Sequence, residues 1–298
     1  MLRFELSYRP PYAWNAVLGF LEHRRIDGVE QVIGNAYRRV LMFDTPAGVR
    51  TGWMQVANQS ERNAVEIAMS ASLAAAVPVV LDAVRRVFDL NCRPDIVDPV
   101  LGPLAADLPG LRVPGAVDGF EIAVRAIIGQ QISVPHARKI LMKLCDAFGG
   151  PLDPFDAALA GEGLRVAFPA ASSFAGAGAG RLREIGGLTQ ARAATLHALA
   201  VEVASERLRL APLEPLQPTL NGLLAIKGIG DWTAQYVAMR ALSWPDAFPA
   251  GDLILRRQLG VDTAKQASAL AAQWAPWRAY ATVHLWRHHH RKQEARHA

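Results

Sequence analysis

The nonapeptide IKGIGDWTA, residues 226–234, decides how the chain is read. Two glycines, Gly228 and Gly230, flank one isoleucine, and apolar helical spacing lies on both sides. The spacing predicts a helix, a two-glycine turn and a second helix. Glycine permits backbone angles that a side chain would oppose. It also lets a ligand approach the amides of the turn and of the following helix N-terminus, where N–H groups lack intrahelical partners and the helix dipole is positive. A phosphate is the natural ligand, and a grip on phosphate reads no bases. Any glycine-X-glycine before a helix can instead be only a tight connection.

What shifts the balance is the surrounding pattern. Leu223, Ile226, Gly228, Ile229, Gly230 and Ala234 stand where a helix-hairpin-helix motif places its residues, with Ile229 expected to point inward and clamp the two helices. Bulk composition agrees without deciding. The chain has 298 residues, 51% hydrophobic and 20% charged, so it can bury a sizeable core, and its net charge of +5 suits an acidic partner. Cys92 and Cys145 are its two cysteines, too few for a disulfide framework, a four-cysteine zinc site or an iron–sulfur cluster. The N-terminal residues show no signal-peptide pattern, and the most apolar run, ASLAAAVPVVLDAV (71–84), is too short for a membrane span and is interrupted by Pro78. A cytoplasmic protein without a membrane partner is expected.

Working outward, LRFELSY (2–8) alternates Leu2, Phe4, Leu6 and Tyr8 as a half-buried strand does. YRRVLMF, RTGWMQVA and NAVEIAMS are further strand-like runs, and YAWNAVLGFLEHRR has helical spacing. This predicts a small antiparallel sheet with one helix packed on it. The proline-rich stretch 92–115 reads as a connection between lobes. Beyond Gly119 strand signals fade and helices are expected, FEIAVRAIIGQQISVPHARKILMKLCDAFG forming two around Gly129-Gln130-Gln131. The glycine-rich run 172–188 reads as loop or short helical turns. The expected fold is therefore α+β: a small N-terminal antiparallel sheet with helices, then a mostly α-helical two-lobed body carrying the helix-hairpin-helix. The boundaries are 1–93 for the α+β domain, 94–114 for a connection contributing to the C-terminal helical lobe, 115–245 for the central helical domain with its hairpin at about 221–240, and 246–298 for the C-terminal helical lobe carrying the candidate aspartate.

The stretch from IKGIGDWTA through DAFPAGDLILRR (246–257) resembles the helix-hairpin-helix DNA glycosylase superfamily. PPYAWNAVLGFL (10–21), FDLNCRPDIVD (88–98), the segment 101–133 and WAPWRAYATVHLW (274–286) resemble its bacterial alkylation-repair branch, the 3-methyladenine glycosylases. The resemblance covers nearly the whole chain and is weakest in the 160–188 stretch. It implies excision of alkylated purines (3-methyladenine and 7-methylguanine type) from duplex DNA after base flipping, with hydrolysis of the N-glycosidic bond in base excision repair.

Carried over position by position, the resemblance places the catalytic aspartate at Asp252. A carboxylate there would stabilise positive charge developing on the sugar, although Asp252 also stands where it would cap the helix LILRRQL. The base-binding cleft falls on Phe20, Trp232, Tyr236 and Trp286, of which Trp232 and Tyr236 share one helix face by their spacing. Such rings hold an electron-poor base by stacking and cation–π attraction. DNA contacts fall on Gly228, Ile229, Gly230 and Thr233. Gln131 takes the place of the wedge that fills the vacated stack, where the related branch has leucine, and Gly251 replaces a further acidic residue. An alkali ion, sodium or potassium, is implied at the main-chain carbonyls of Leu224, Ile226 and Ile229. No other cofactor is expected.

In strand-cutting members a nucleophilic lysine follows the last hairpin glycine by two residues. That position is Trp232, so a monofunctional enzyme without lyase activity is expected. The partner is double-stranded DNA with alkylated bases, and the chain is expected to be a monomer. An oxidised-base or broad-range glycosylase and a non-catalytic helix-hairpin-helix DNA-binding protein are the rival readings. Arg256, Arg257 and Arg278 are further basic candidates, and the tail WRHHHRKQEARHA (286–298) reads as solvated and basic rather than metal-binding.

Overall fold

A computed structural model describes residues 1–45 and 48–297, with the side chains at 45, 290 and 292–297 outside the description, so most side chains of the basic tail lie outside it. Five antiparallel strands open the chain: β1 (Leu2–Ser7), β2 (Glu30–Ile33), β3 (Ala36–Thr45), β4 (Gly48–Gln59) and β5 (Ala64–Met69), in the order β1-β5-β4-β3-β2. β1 alternates as its sequence requires, Leu2, Phe4 and Leu6 partly buried and Arg3, Glu5 and Ser7 exposed. β2 is only four residues long and half polar, which is why its pattern did not stand out. The sheet carries two helices, not the expected one. α1 (Trp14–His23) and α2 (Val77–Val87) place Val17, Leu18, Leu21, Val80 and Val84 in one core with Met54, Val56, Val65 and Ile67.

The proline-rich stretch is likewise more than a connection. It contains α3 (Pro94–Leu101) and α4 (Pro103–Ala106), each with proline in its first turn. There the missing N–H costs nothing and the fixed φ favours the helix. The body continues with α5 (Gly119–Gly129), α6 (Val134–Phe148), α7 (Pro154–Ala160), α8 (Ala171–Gly186), α9 (Gln190–Ala204), α10 (Leu216–Ala225), α11 (Asp231–Arg240), α12 (Leu253–Leu259), α13 (Ala264–Ala271) and α14 (Arg278–His297). α8 corrects the expectation of loop or short helical turns. Its alanines sustain helix, Phe174 and Leu182 anchor it in the core, and glycine breaks it only at Gly178, where φ is +73°. No helix among the described residues is long and apolar enough to cross a membrane.

Sheet and helical body are joined by buried charge. Arg39 from β3 donates to Glu121 of α5 at 2.7 Å, Arg125 of α5 donates to Glu121 at 2.8 Å and pairs with Glu30 of β2, and Tyr37 donates to Glu30. Burial alone would raise the Glu121 carboxyl, but Arg39 and Arg125 hold it down at about 2. A carboxyl depressed in the folded state contributes stability above its unfolded value and loses it as pH falls toward the folded one. Denaturant unfolding is therefore expected to show stability falling as pH drops below about 4.5 toward 2, less steeply in Glu121→Gln.

Candidate active site and nucleic-acid interface

α10 ends at Ala225, and α11 begins at Asp231 after the turn. Ile226 and Ile229 are buried in the helical core with Leu223 and Ala234, while Lys227, Gly228 and Gly230 are exposed. The two glycines differ. Gly228 has φ +97°, and a Cβ there would sit 2.2 Å from Thr195 Oγ1. Gly230 has φ −101° and open space around it. Packing demands glycine at the first position, whereas at the second only an approaching ligand would.

Beside the hairpin, α5 turns into α6 through Gln130 and Gln131. Gln131 is exposed with φ +60°, an uncommon conformation for a side-chain-bearing residue. Thr233 is buried, and its hydroxyl lies 2.9 Å from Gln130 Nε2.

On the other side of α11 a cavity of about 260 Å³ opens. Trp232 and Tyr236, one turn apart, stack with centroids 5.4 Å apart and planes 20° apart. Trp286 of α14 stands 6.1 Å from Tyr236, tilted by 42°. Asp252 shares the cavity with these three rings and with Arg24, Arg125 and Arg138. Its side chain takes the capping role that the sequence allowed and also lines the cavity. Oδ1 accepts the amides of Ile254 (2.8 Å) and Leu255 (3.0 Å), capping α12, and Oδ2 accepts the indole N–H of Trp232 at 3.1 Å. Gly251 is exposed, and a Cβ there would meet only Trp232 Cβ at 3.9 Å, so the mouth beside Asp252 has room.

Phe20 is not brought into this cavity. It lies behind Trp286, stacked at 6.5 Å and 19°, and lines a separate space of about 290 Å³ with Gly19, Leu111 and Val283. Its ring carries the Arg24 guanidinium at 3.9 Å. Phe20 therefore backs a wall of the pocket instead of facing a base.

Two arginines went unnoticed in the sequence. Arg24, just past α1, lines the pocket. Burial lowers its guanidinium to about 10, so it is charged at neutral pH. Its carbonyl accepts from Arg125 at 2.7 Å, and the next carbonyl, of Arg25, from Arg138 at 2.7 Å. Arg240 donates to Tyr236 Oη at 2.8 Å and to the carbonyls of Pro114 and Gly115. Burial would raise the Tyr236 phenol, but Arg240 and Arg24 bring it below its ordinary value. Apart from the Arg240–Tyr236 bond, which lies within α11, these contacts join residues far apart in sequence, so no local pattern could disclose them.

The remaining candidates are structural or peripheral. Arg278 pairs with Asp246 through two contacts of 2.7 Å. Arg256 donates to the Asp262 carbonyl at 2.5 Å, and Arg257 is exposed. Cys92 and Cys145 are buried free thiols, pushed up by burial. Among the described residues no cluster of histidine, cysteine or carboxylate side chains suits a metal ion. Leu224 lies in the last turn of α10, and Ile226 and Ile229 lie in the hairpin turn, where the Ile226 carbonyl accepts the Ile229 amide at 3.0 Å. Neutral carbonyl oxygens at a helix end are a donor set that fits an alkali ion.

With this geometry in hand, comparison with known proteins is informative. Residues 3–118 match the AlkA N-terminal domain, and residues 124–272 match the HhH-GPD superfamily base excision DNA repair protein family. DNA-3-methyladenine glycosylase 2 of Escherichia coli is 35% identical, over 95% of this chain and 96% of its own. The probable bifunctional transcriptional activator/DNA repair enzyme AlkA of Mycobacterium tuberculosis is 34% identical over 94% of this chain, which spans 56% of that longer protein. A solved 3-methyladenine DNA-glycosylase from Archaeoglobus fulgidus shares the fold, with a TM-score of 0.76 at 23% identity, over 96% of this chain and 97% of that one.

Proposed function

We propose, for a chain that belongs to the HhH-GPD superfamily of base excision DNA repair proteins, that Asp252 and the rings around it cleave the N-glycosidic bond of a purine swung out of duplex DNA. The chain is a DNA glycosylase of the 3-methyladenine type, acting on alkylated bases. One observation carries the finer reading: the Asp252 carboxylate shares its cavity with Trp232, Tyr236 and Trp286.

The chemistry follows from that arrangement. A base inside the helix is out of reach, so the nucleotide must leave the stack. The cavity of about 260 Å³ has room for one base against these rings. As the glycosidic bond breaks, positive charge develops on the deoxyribose, and a carboxylate already fixed by three N–H donors stabilises it without reorganising. A purine alkylated at N3 or N7 departs easily, so no general acid is needed. The hairpin grips the backbone through the amides of the Gly228–Gly230 turn, Gln131 fills the vacated stack, and an alkali ion on the carbonyls of Leu224, Ile226 and Ile229 would stiffen that grip. The enzyme works as a monomer on double-stranded DNA.

The lesion range depends on how the pocket balances Arg24 against Asp252, whose charge acts on that guanidinium. A substrate panel of 3-methyladenine, 7-methylguanine, hypoxanthine, ethenoadenine and 1-methyladenine duplexes measures that range.

Strand cutting by a covalent intermediate needs an amine nucleophile at the sugar. Trp232 holds the expected position, and Lys227 is exposed before the turn. Purified protein is expected to release free base from methylated duplex while leaving the strand intact. Sodium borohydride should trap no protein–DNA adduct, and a trapped adduct would refute the monofunctional reading.

A further inference from the structure

Gln130 precedes the candidate wedge and faces the hairpin. Its side-chain nitrogen lies 3.2 Å from the Gly228 carbonyl and 2.9 Å from Thr233 Oγ1. Its own carbonyl accepts from Arg192 at 2.6 Å. Thr195, one turn further along α9, places its hydroxyl 2.8 Å from the Lys227 carbonyl. The α5–α6 turn and the hairpin are thus tied to each other, and both are tied to α9.

We propose that Gln130 is a positioning residue, fixing the spacing between the hairpin that holds the DNA backbone and the Gln131 side chain that enters the stack. This rests on the reading of hairpin and wedge given above. Extrusion requires the backbone grip and the intruding side chain to act at the same step, and a preset geometry removes the entropy of bringing them together. The backbone at Gln131 points the same way. A glutamine held at φ +60° persists where its surroundings over-determine it, and the bonds of Gln130 supply that constraint. Releasing them lets the turn relax, and extrusion becomes costly only where a paired base must be dislodged.

The test compares excision of one 7-methylguanine placed opposite cytosine or opposite an abasic position. Gln130→Met keeps the length and removes both donated hydrogen bonds. Single-turnover release is expected to slow about tenfold for the paired lesion and less than about threefold for the unpaired one. Equal slowing in both contexts, or none in either, overturns the proposal. Should Gln130→Met fail to fold by thermal melting, Thr233→Val cuts one end of the same tether and is expected to show the same paired-lesion bias. Asp252→Asn should slow both duplexes alike. Failure of the wild-type protein to release base from either duplex would overturn the glycosylase reading beneath it, and this proposal with it.

Discussion

Asp252→Asn is expected to slow base release from methylated duplex by about 10²- to 10³-fold, the range seen when one preorganised electrostatic partner is lost from an active site. The substitution separates the two roles of this side chain. Asparagine is as good an N-cap as aspartate, so its oxygen can keep the amides of Ile254 and Leu255, and α12 should hold. What disappears is the charge facing the sugar. The new amide also meets Trp232 Nε1 donor to donor where Oδ2 had accepted at 3.1 Å. Thermal melting should therefore move little while single-turnover release collapses. Retained DNA binding with lost release excludes a purely scaffolding protein. Retained release would remove Asp252 from the chemistry altogether.

Gly228→Ala should weaken binding to every duplex by about tenfold or more, because the turn itself is disturbed. Alanine at φ +97° is strained by about 1–3 kcal/mol, and its Cβ would press on Thr195 Oγ1 at 2.2 Å. The hairpin must shift, Thr195 loses the Lys227 carbonyl, and the amides no longer converge. Gly230→Ala meets no such obstacle in the free protein. It should leave the melting temperature nearly unchanged and reduce affinity only through contact with the DNA backbone. Fluorescence anisotropy with unrelated duplexes at two salt concentrations checks both variants. A loss confined to particular sequences would contradict backbone gripping, since phosphate contacts carry no sequence information.

How far the sequence could be read depended on the range of the interactions. The hairpin and the pairing of Trp232 with Tyr236 are local, set by one turn and one helix, and so were visible. Trp286 and Asp252 come from separate elements and were placed by resemblance alone. Phe20 was placed the same way, and the structure sets it behind Trp286. Arg24, and Arg240 in its bonds to the Pro114 and Gly115 carbonyls, act through partners distant in sequence, which leave no local trace. Secondary structure failed where composition misleads. Alanine and burial kept α8 helical despite its glycines, and prolines in first turns began α3 and α4 within the stretch expected to connect to the C-terminal helical lobe.

Trp286 has a consequence beyond stacking. With Arg24 it borders both the chamber that holds Asp252 and the separate space lined by Phe20. The depth of the chamber beside Asp252 is therefore set by the Trp286 indole, backed by Phe20 and Arg24. Trimming that indole would deepen the chamber, giving a laboratory a direct way to admit bulkier adducts while the carboxylate and the hairpin stay where they are.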